Sequence, residues 1–565
     1  MRMKTPATPK SAASGTVMTG GMAIVEALLA NGVDSVFGLP GAQMYPLFDA
    51  LQLRSDRVRT YGARHEQTCG YMAFGYARST GRPGVFAVVP GPGVLNTTAA
   101  LVTALGCNAP VLCLTGQVPS AFLGRGRGHL HEIPDQLATL KSVTKWAARI
   151  ECAADAPGVI NEAFRQMLSG RPGPVAVEMP WDVMAAHGFI RRLPAASIAP
   201  PRPASPIEVE AAALLLAEAK RPMIMTGSGA QHASAAVLAL AEYLDAPVAA
   251  FRGGRGVVAE DHRLGVSSFT AHQLWPETDV LIGIGTRLEM PYMRWAGMMQ
   301  LIERPLAPPQ LIRIDIDPTE MRRLVAHVGI TADADAGARA LLAAVKKVRK
   351  TGNKTSSHAR AAIAEAKAEA RVSIEAVQPQ MAYLHVIRDC LPRHGILVGE
   401  LSQVGFTSYF GFPVYEPRTY ISEGYQGTLG FGFPSALGVK VAHPDTPVVS
   451  ITGDGGFMFA AQELATAAQE NIALVTLVFN NNAFGNVLRD QKVGFGNRII
   501  GAVLRNPDFM LFAKAFNVEG HRVTSPEALR PVLAKAIKAT QPVVIEIVVP
   551  QGSETPPWPF IQPKR

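Results

Sequence analysis

Cysteine is scarce in this chain. Five stand among 565 residues, Cys69, Cys107, Cys113, Cys152 and Cys390. Their odd number and their spacing fit neither a disulfide framework nor a cysteine-based metal site, so they read as buried apolar thiols of a reducing compartment. Long apolar runs are also missing. No stretch is long enough to span a bilayer, which argues against a membrane-embedded protein. The opening MRMKTPATPKSAASGT is basic but lacks the apolar core of a secretory signal, so residues 1–19 read as a flexible tail and a cytoplasmic setting is the simplest. The formal net charge of +9 is spread along the chain, with no basic block, which argues against a nucleic-acid partner. No short-period repeat is visible.

What is present is an alternation of short apolar runs with helix-forming stretches, punctuated by glycine. A chain of this length holds about three or four ordinary domains. The pattern predicts an α/β protein of doubly wound parallel sheets. Residues 20–190 form the first unit. The Pro- and Ala-rich run Leu193–Pro206 is a linker. A second α/β unit covers 207–348, with strands expected at Pro222–Thr226, Asp279–Gly285 and Leu311–Asp317. Gly227-Ser228-Gly229 follows the first of these but lacks the third glycine of a dinucleotide fingerprint, so a tight turn is favoured over a nucleotide site. Arg349–Ala376 reads as a solvated connector, helical near its end. A third unit covers 378–550. The tail 551–565 contains SETPPWPF and is expected to lie extended over a surface.

The third unit carries the most informative stretch. Val448–Thr452 is a β-branched strand, Gly453-Asp454-Gly455-Gly456 a turn, Phe457–Gln469 helix-forming, and Leu474–Phe479 a second strand. This is a βαβ unit, whose strands should be parallel neighbours. Asp454 and Asn480-Asn481-Asn482 then leave the carboxyl ends of adjacent strands, where open α/β sheets bind ligands. A carboxylate, an amide oxygen and glycines at that place suit a diphosphate held through Mg²⁺. The glycines admit backbone N–H groups to the phosphates and the helix N-terminus favours the anion.

The pair Gly453-Asp454-Gly455 and Asn480-Asn481, with QELATAAQ and GTLGFGFPSALG around them, resembles the thiamine diphosphate motif. From about residue 20 onward the chain resembles the acetolactate synthase, benzoylformate decarboxylase and pyruvate decarboxylase superfamily. That resemblance implies a pyrimidine-binding domain first, a central domain, and a diphosphate-binding domain last. It implies Asp454 and Asn481 as side-chain metal ligands, Ala483 as a backbone carbonyl ligand, and Gly455, Gly456, Ser402 and Gln403 near the diphosphate. It makes Glu66 the carboxyl group at N1′ of the aminopyrimidine. Leu429 becomes the apolar residue under the bend of the cofactor, and Gly427 the backbone carbonyl facing the 4′-amino group. Gly38, His65, Gln117 and Arg287 fall around the reactive carbon, and His129 and His131 on a loop that would line the pocket.

Two departures from acetolactate synthases stand out. Where those enzymes carry RFDDR beside a flavin, this chain has Arg287-Leu288-Glu289-Met290-Pro291. Where they carry a pocket tryptophan, it has Asp490. Both weigh against a flavin and against a pyruvate-plus-pyruvate reaction, so the resemblance implies a thiamine diphosphate- and Mg²⁺-dependent decarboxylase or carboligase acting on a 2-oxo acid, with an aldehyde or ketone as acceptor and no stoichiometric flavin. An acetolactate synthase catalytic subunit is the alternative. A non-catalytic cofactor-binding regulatory protein is the alternative from another class, and Glu66 argues against it. A pyridine-nucleotide dehydrogenase lacks the G-x-G-x-x-G it would need. The resemblance also implies a homo-oligomer, at least a dimer and commonly a tetramer, with the active site between subunits.

Overall fold

The computed structural model describes residues 15–295, 309–349 and 357–563. The first fourteen residues of the expected tail, the first part of the connector, part of the central unit and the last two residues lie outside that range. Three six-stranded parallel sheets carry the architecture. In the first domain β1 (Gly15–Thr19) is followed by β2 (Ser35–Gly38), β3 (Arg59–Gly62), β4 (Gly84–Val88), β5 (Val111–Gln117), β6 (Trp146–Arg149), β7 (Val175–Pro180) and β8 (His187–Arg191). The central domain holds β9 (Pro222–Thr226), β10 (Val248–Ala250), β11 (Gly265–Val266), β12 (Val280–Ile284), β13 (Gln310–Asp315) and β14 (Val328–Thr331). The third has β15 (Ile396–Gly399), β16 (Tyr420–Ile421), β17 (Val448–Gly453), β18 (Val475–Asn480), β19 (Glu519–Val523) and β20 (Val543–Val548).

The first and third sheets have the same winding. Their orders are β3-β2-β4-β5-β7-β6 and β16-β15-β17-β18-β20-β19, so each strand has a counterpart at the same place. The central sheet is wound differently, β11-β10-β9-β12-β13-β14. Each winding reverses near its middle, at β2/β4, at β9/β12 and at β15/β17. A reversal leaves a crevice at the strands' carboxyl ends, because the following loops diverge to opposite faces. As expected, β17 and β18 are parallel neighbours, Gly453 pairing with Phe479.

The first and third domains share a core. Helix Glu66–Thr80 crosses helix Gly432–Ala442. A β-carbon on Gly75 would fall on the Ser435 carbonyl, and one on Gly438 on the Met72 carbonyl. Phe431 meets Tyr71 and Phe74 edge-on in the same interface.

Several expectations need correction. Residues 15–19 are not tail: they pair antiparallel with β8, a strand more than 160 positions away that no local pattern announces. The turn after β17 is itself one helical turn, Asp454–Phe457, and the helix expected over Phe457–Gln469 is broken into a 3₁₀ turn at Ala461–Glu463 and a helix at Leu464–Gln469. In the connector, Ser357–Glu375 is a helix whose Ile363, Ala366, Ala370 and Ile374 are buried along one stripe, so it is packed rather than merely solvated. The tail ends in a helical turn, Trp558–Ile561. Pro559 is tolerated there because a first-turn N–H has no intrahelical partner to lose. Cys152 is exposed and Cys390 half-buried, whereas the other three thiols are buried. Among the described residues no helix is long and apolar enough to cross a membrane.

Candidate active site

The crevice at β15/β17/β18 is a cavity of about 170 Å³ lined by Ser402, Gln403, Leu429, Gly453 to Gly456, Asn481, Ala483 and Glu554, among others. Eight of the residues expected to hold the cofactor or its metal therefore converge on one place. Ser402 caps helix Gln403–Gly411, its Oγ accepting from Gly405 N at 3.1 Å, so that helix directs its N-terminus at the cavity. Gln403 Oε1 is buried without a partner. An unpaired polar atom at a helix N-terminus, beside a glycine turn, suits an oxygen-rich anionic ligand with its cation. Gly427 holds φ +61° just before Leu429, a conformation open to glycine and strained for other residues.

Asp454 Oδ2 accepts from Asn506 Nδ2 at 2.6 Å, and the same amide reaches Asn480 Oδ1 at 3.0 Å. Asn481 Oδ1 accepts from Ala483 N at 3.0 Å, and its Nδ2 donates to Glu554 Oε2 at 2.7 Å. Burial pushes the Asp454 carboxyl above its usual range. Burial, with the neighbouring Asp454 charge adding to it, pushes Glu554 up to about 7. A divalent cation between these oxygens would draw both carboxyls back toward the ionised form. The donor set, a carboxylate, an amide oxygen and a backbone carbonyl with room for phosphate and water, fits Mg²⁺. The tail supplies Glu554, and Trp558 Nε1 donates to Asn486 Oδ1 beside the cavity.

The remaining candidates stand elsewhere. Glu66 opens its helix, and its Oε2 accepts from Asn96 Nδ2 at 3.0 Å. His65 is that helix's N-cap, its Nδ1 accepting from Gln67 N at 3.2 Å. Gly38 is buried at the end of β2. Gln117 is buried too, its Oε1 taken by Val118 N at 2.8 Å and its Nε2 directed at Glu178. His131 donates through Nδ1 to Gln43 Oε1 at 2.7 Å; burial lowers its pKa and the nearby Glu66 charge opposes this. His129 packs on Phe122 with the rings tilted by 38° and their centroids 4.1 Å apart. None of these residues lines the Asp454 cavity. Arg287 lies in the central domain, 4.6 Å over the Tyr425 ring, at the edge of a second cavity of about 390 Å³ at the β9/β12 crevice.

Sequence reasoning passed over Glu400, Glu463, Asn506 and Glu554. Glu463 accepts from Arg64 N at 3.0 and 3.1 Å, so the third domain pins the turn that leads into Glu66. Glu400 stands next to the noted Ser402 and Gln403, and its place at a strand's carboxyl end was the available signal. Nothing local marks the other three. In the central cleft Glu289 pairs with both Arg252 and Arg294. Pro291 sits in the first turn of the π-helix Met290–Arg294, where a missing N–H costs little.

Three family profiles match: the N-terminal TPP binding domain of thiamine pyrophosphate enzymes over residues 18–139, the central domain over 209–341 and the C-terminal TPP binding domain over 401–547. The chain is 34% identical to a probable acetolactate synthase large subunit of Methanocaldococcus jannaschii, covering 96% of this chain and 94% of that one. It is 35% identical to a probable 2-ketoarginine decarboxylase of Pseudomonas aeruginosa, over 91% and 90% of the two chains. It is 32% identical to the acetolactate synthase isozyme 2 large subunit of Escherichia coli, over 97% and 98%.

Proposed function

The chain belongs to the thiamine pyrophosphate enzyme family, and from that premise we propose that it is a thiamine diphosphate- and Mg²⁺-dependent decarboxylase or carboligase of 2-oxo acids. The observation that carries the reading is the Asp454 cavity, where two side-chain oxygens, an unpaired Gln403 Oε1 and a helix N-terminus meet. Bound thiamine diphosphate supplies a nucleophilic carbon and an electron sink. The protein's part is holding and proton traffic. Asp454, Asn481 and the Ala483 carbonyl would hold the metal, and the Gly455 and Gly456 segment would hold the diphosphate. Leu429 would pack against the cofactor, the Gly427 carbonyl would accept from its 4′-amino group, and Glu66 would hold a proton at N1′.

Glu66 is absent from the lining of the Asp454 cavity, which supports a homo-oligomer in which Glu66 of one subunit serves the cavity of another. Decarboxylation ranks ahead of acetolactate synthesis because Asp490 occupies the expected pocket-tryptophan position, bonded to Arg489 at 2.7 Å. The relative named as a 2-ketoarginine decarboxylase is in keeping with that order. The reaction needs no flavin. The replacement of RFDDR and the missing fingerprint glycine argue against one.

The test is a panel of 2-oxo acids assayed for CO₂ release, with and without aldehydes, with thiamine diphosphate and Mg²⁺ added or withheld. Release that requires both additions is expected. No turnover of any 2-oxo acid, or turnover indifferent to cofactor and metal, would refute the proposal. An absorbance spectrum before and after denaturation should show no flavin band; a stoichiometric band would put acetolactate synthase first.

A further inference from the structure

Glu400 follows β15 directly and is 1% exposed. Its Oε1 accepts from the Gly430 amide, and its Oε2 lies 2.6 Å from Thr452 Oγ1. Glycines close around it: a β-carbon on Gly456 would stand 2.5 Å from Oε1, and one on Gly432 2.7 Å from Glu400 Cβ. The carboxyl thus touches two separate segments. One, Gly427 to Gly432, carries the Gly427 carbonyl and Leu429. The other, Thr452 to Gly456, carries Asp454 and the diphosphate turn. A buried carboxyl is costly unless its hydrogen bonds are made, and an apolar residue would fill this space without linking the two.

The proton arrangement is specific. Thr452 Oγ1 also lies 3.1 Å from the Gly453 carbonyl. A hydroxyl has one proton to give. Both contacts are made when a neutral Glu400 donates to Thr452 Oγ1 and Thr452 donates to the Gly453 oxygen. Burial pushes Glu400 up to about 7, with the Glu423 charge adding to it, which favours that neutral form.

We propose that Glu400 is a positioning residue of the cofactor site, whose carboxyl ties the loop presenting Leu429 to the turn presenting Asp454 and so fixes the wedge relative to the metal-held diphosphate. This rests on the reading that the chain binds thiamine diphosphate. Glutamine offers one acceptor and one donor in the same places as a neutral carboxyl; alanine offers neither and leaves the Gly430 N–H unpaired.

The experiment uses the full chain. Thiamine diphosphate affinity with Mg²⁺ is measured by calorimetry, the C2–H/D exchange rate at saturating cofactor by quenched-flow NMR, and the unfolding midpoint of the cofactor-free protein by thermal denaturation. Glu400→Gln should stay within about threefold of wild type in affinity and exchange, and Glu400→Ala should lose about tenfold or more in each. A purely structural role would lower the midpoint and leave exchange at saturation unchanged, and that result overturns the proposal. So does a Glu400→Gln variant as impaired as Glu400→Ala. If Glu400→Ala does not fold, Thr452→Val cuts one of the two links in a near-isosteric way; exchange slowed by about threefold or more supports the proposal, and an unchanged rate overturns it. A wild-type protein that fails to bind thiamine diphosphate refutes the functional reading itself, whereas binding with unaffected variants refutes only the role of Glu400.

Discussion

At the residue scale, the side chains fall into two groups distinguished by what they touch. Gln403 lines the Asp454 cavity with its Oε1 unpaired, and Asp454 and Asn481 line the same cavity while bonded to Asn506, Ala483 and Glu554. Gln117 and His65 stand apart from that cavity, Gln117 held by Val118 and Glu178 and His65 Nδ1 capping its helix. Glu66 has one carboxylate oxygen bonded to Asn96. Replacing it by glutamine keeps the shape and the Asn96 contact but removes the acid. Glu66→Gln is therefore expected to bind thiamine diphosphate with affinity close to wild type while C2–H/D exchange slows by about two orders of magnitude or more. Exchange at the wild-type rate would remove Glu66 from its assigned role. Asp454→Ala should behave in the opposite way, losing Mg²⁺-dependent cofactor binding in a calorimetric titration. Cofactor retained at wild-type affinity there would dissociate Asp454 from the metal.

At the scale of elements, the crossing of helices Glu66–Thr80 and Gly432–Ala442 is the decisive contact. The first helix begins with Glu66 and the second follows the loop that carries Leu429. Their backbones approach closely because Gly75 and Gly438 present no β-carbon to the opposing carbonyls. Gly75→Ala or Gly438→Ala should each destabilise the protein by about 1–3 kcal/mol, by forcing the helices apart. Lower midpoints in chemical or thermal unfolding would register this. Unchanged midpoints in both variants would show that the helices do not approach as described.

At the scale of the whole molecule, two domains of equal winding flank one of different winding. The Asp454 crevice belongs to the third domain and Glu66 to the first, and Glu66 is not among the residues that line that crevice. If the site forms between subunits, mixing inactive Glu66→Gln with inactive Asp454→Ala protein restores activity. Each mixed dimer then has one site with both residues intact. Random exchange should return about a quarter of wild-type sites. No recovery after demonstrated subunit exchange would place the whole site within one chain.

The sequence by itself determined the parts whose signal is local. Short apolar runs ending at glycine marked the inner strands, such as Pro222–Thr226 before Gly227, because a strand buried on both faces is apolar along its length. The spacing of Asp454 and Asn481 put both at the ends of neighbouring strands, since a βαβ unit leaves little choice of geometry. The tertiary structure decided what depends on partners distant in sequence. It paired β1 with β8, joined Glu463 to the turn before Glu66, brought Glu554 from the tail against Asn481, and set Glu400 between two cofactor-holding loops. A carboxyl in sequence looks the same whether it meets water or a buried amide. Only the packing of remote segments removes the water and supplies the partner, and so turns Glu400, Glu463 and Glu554 from unremarkable residues into parts of a site.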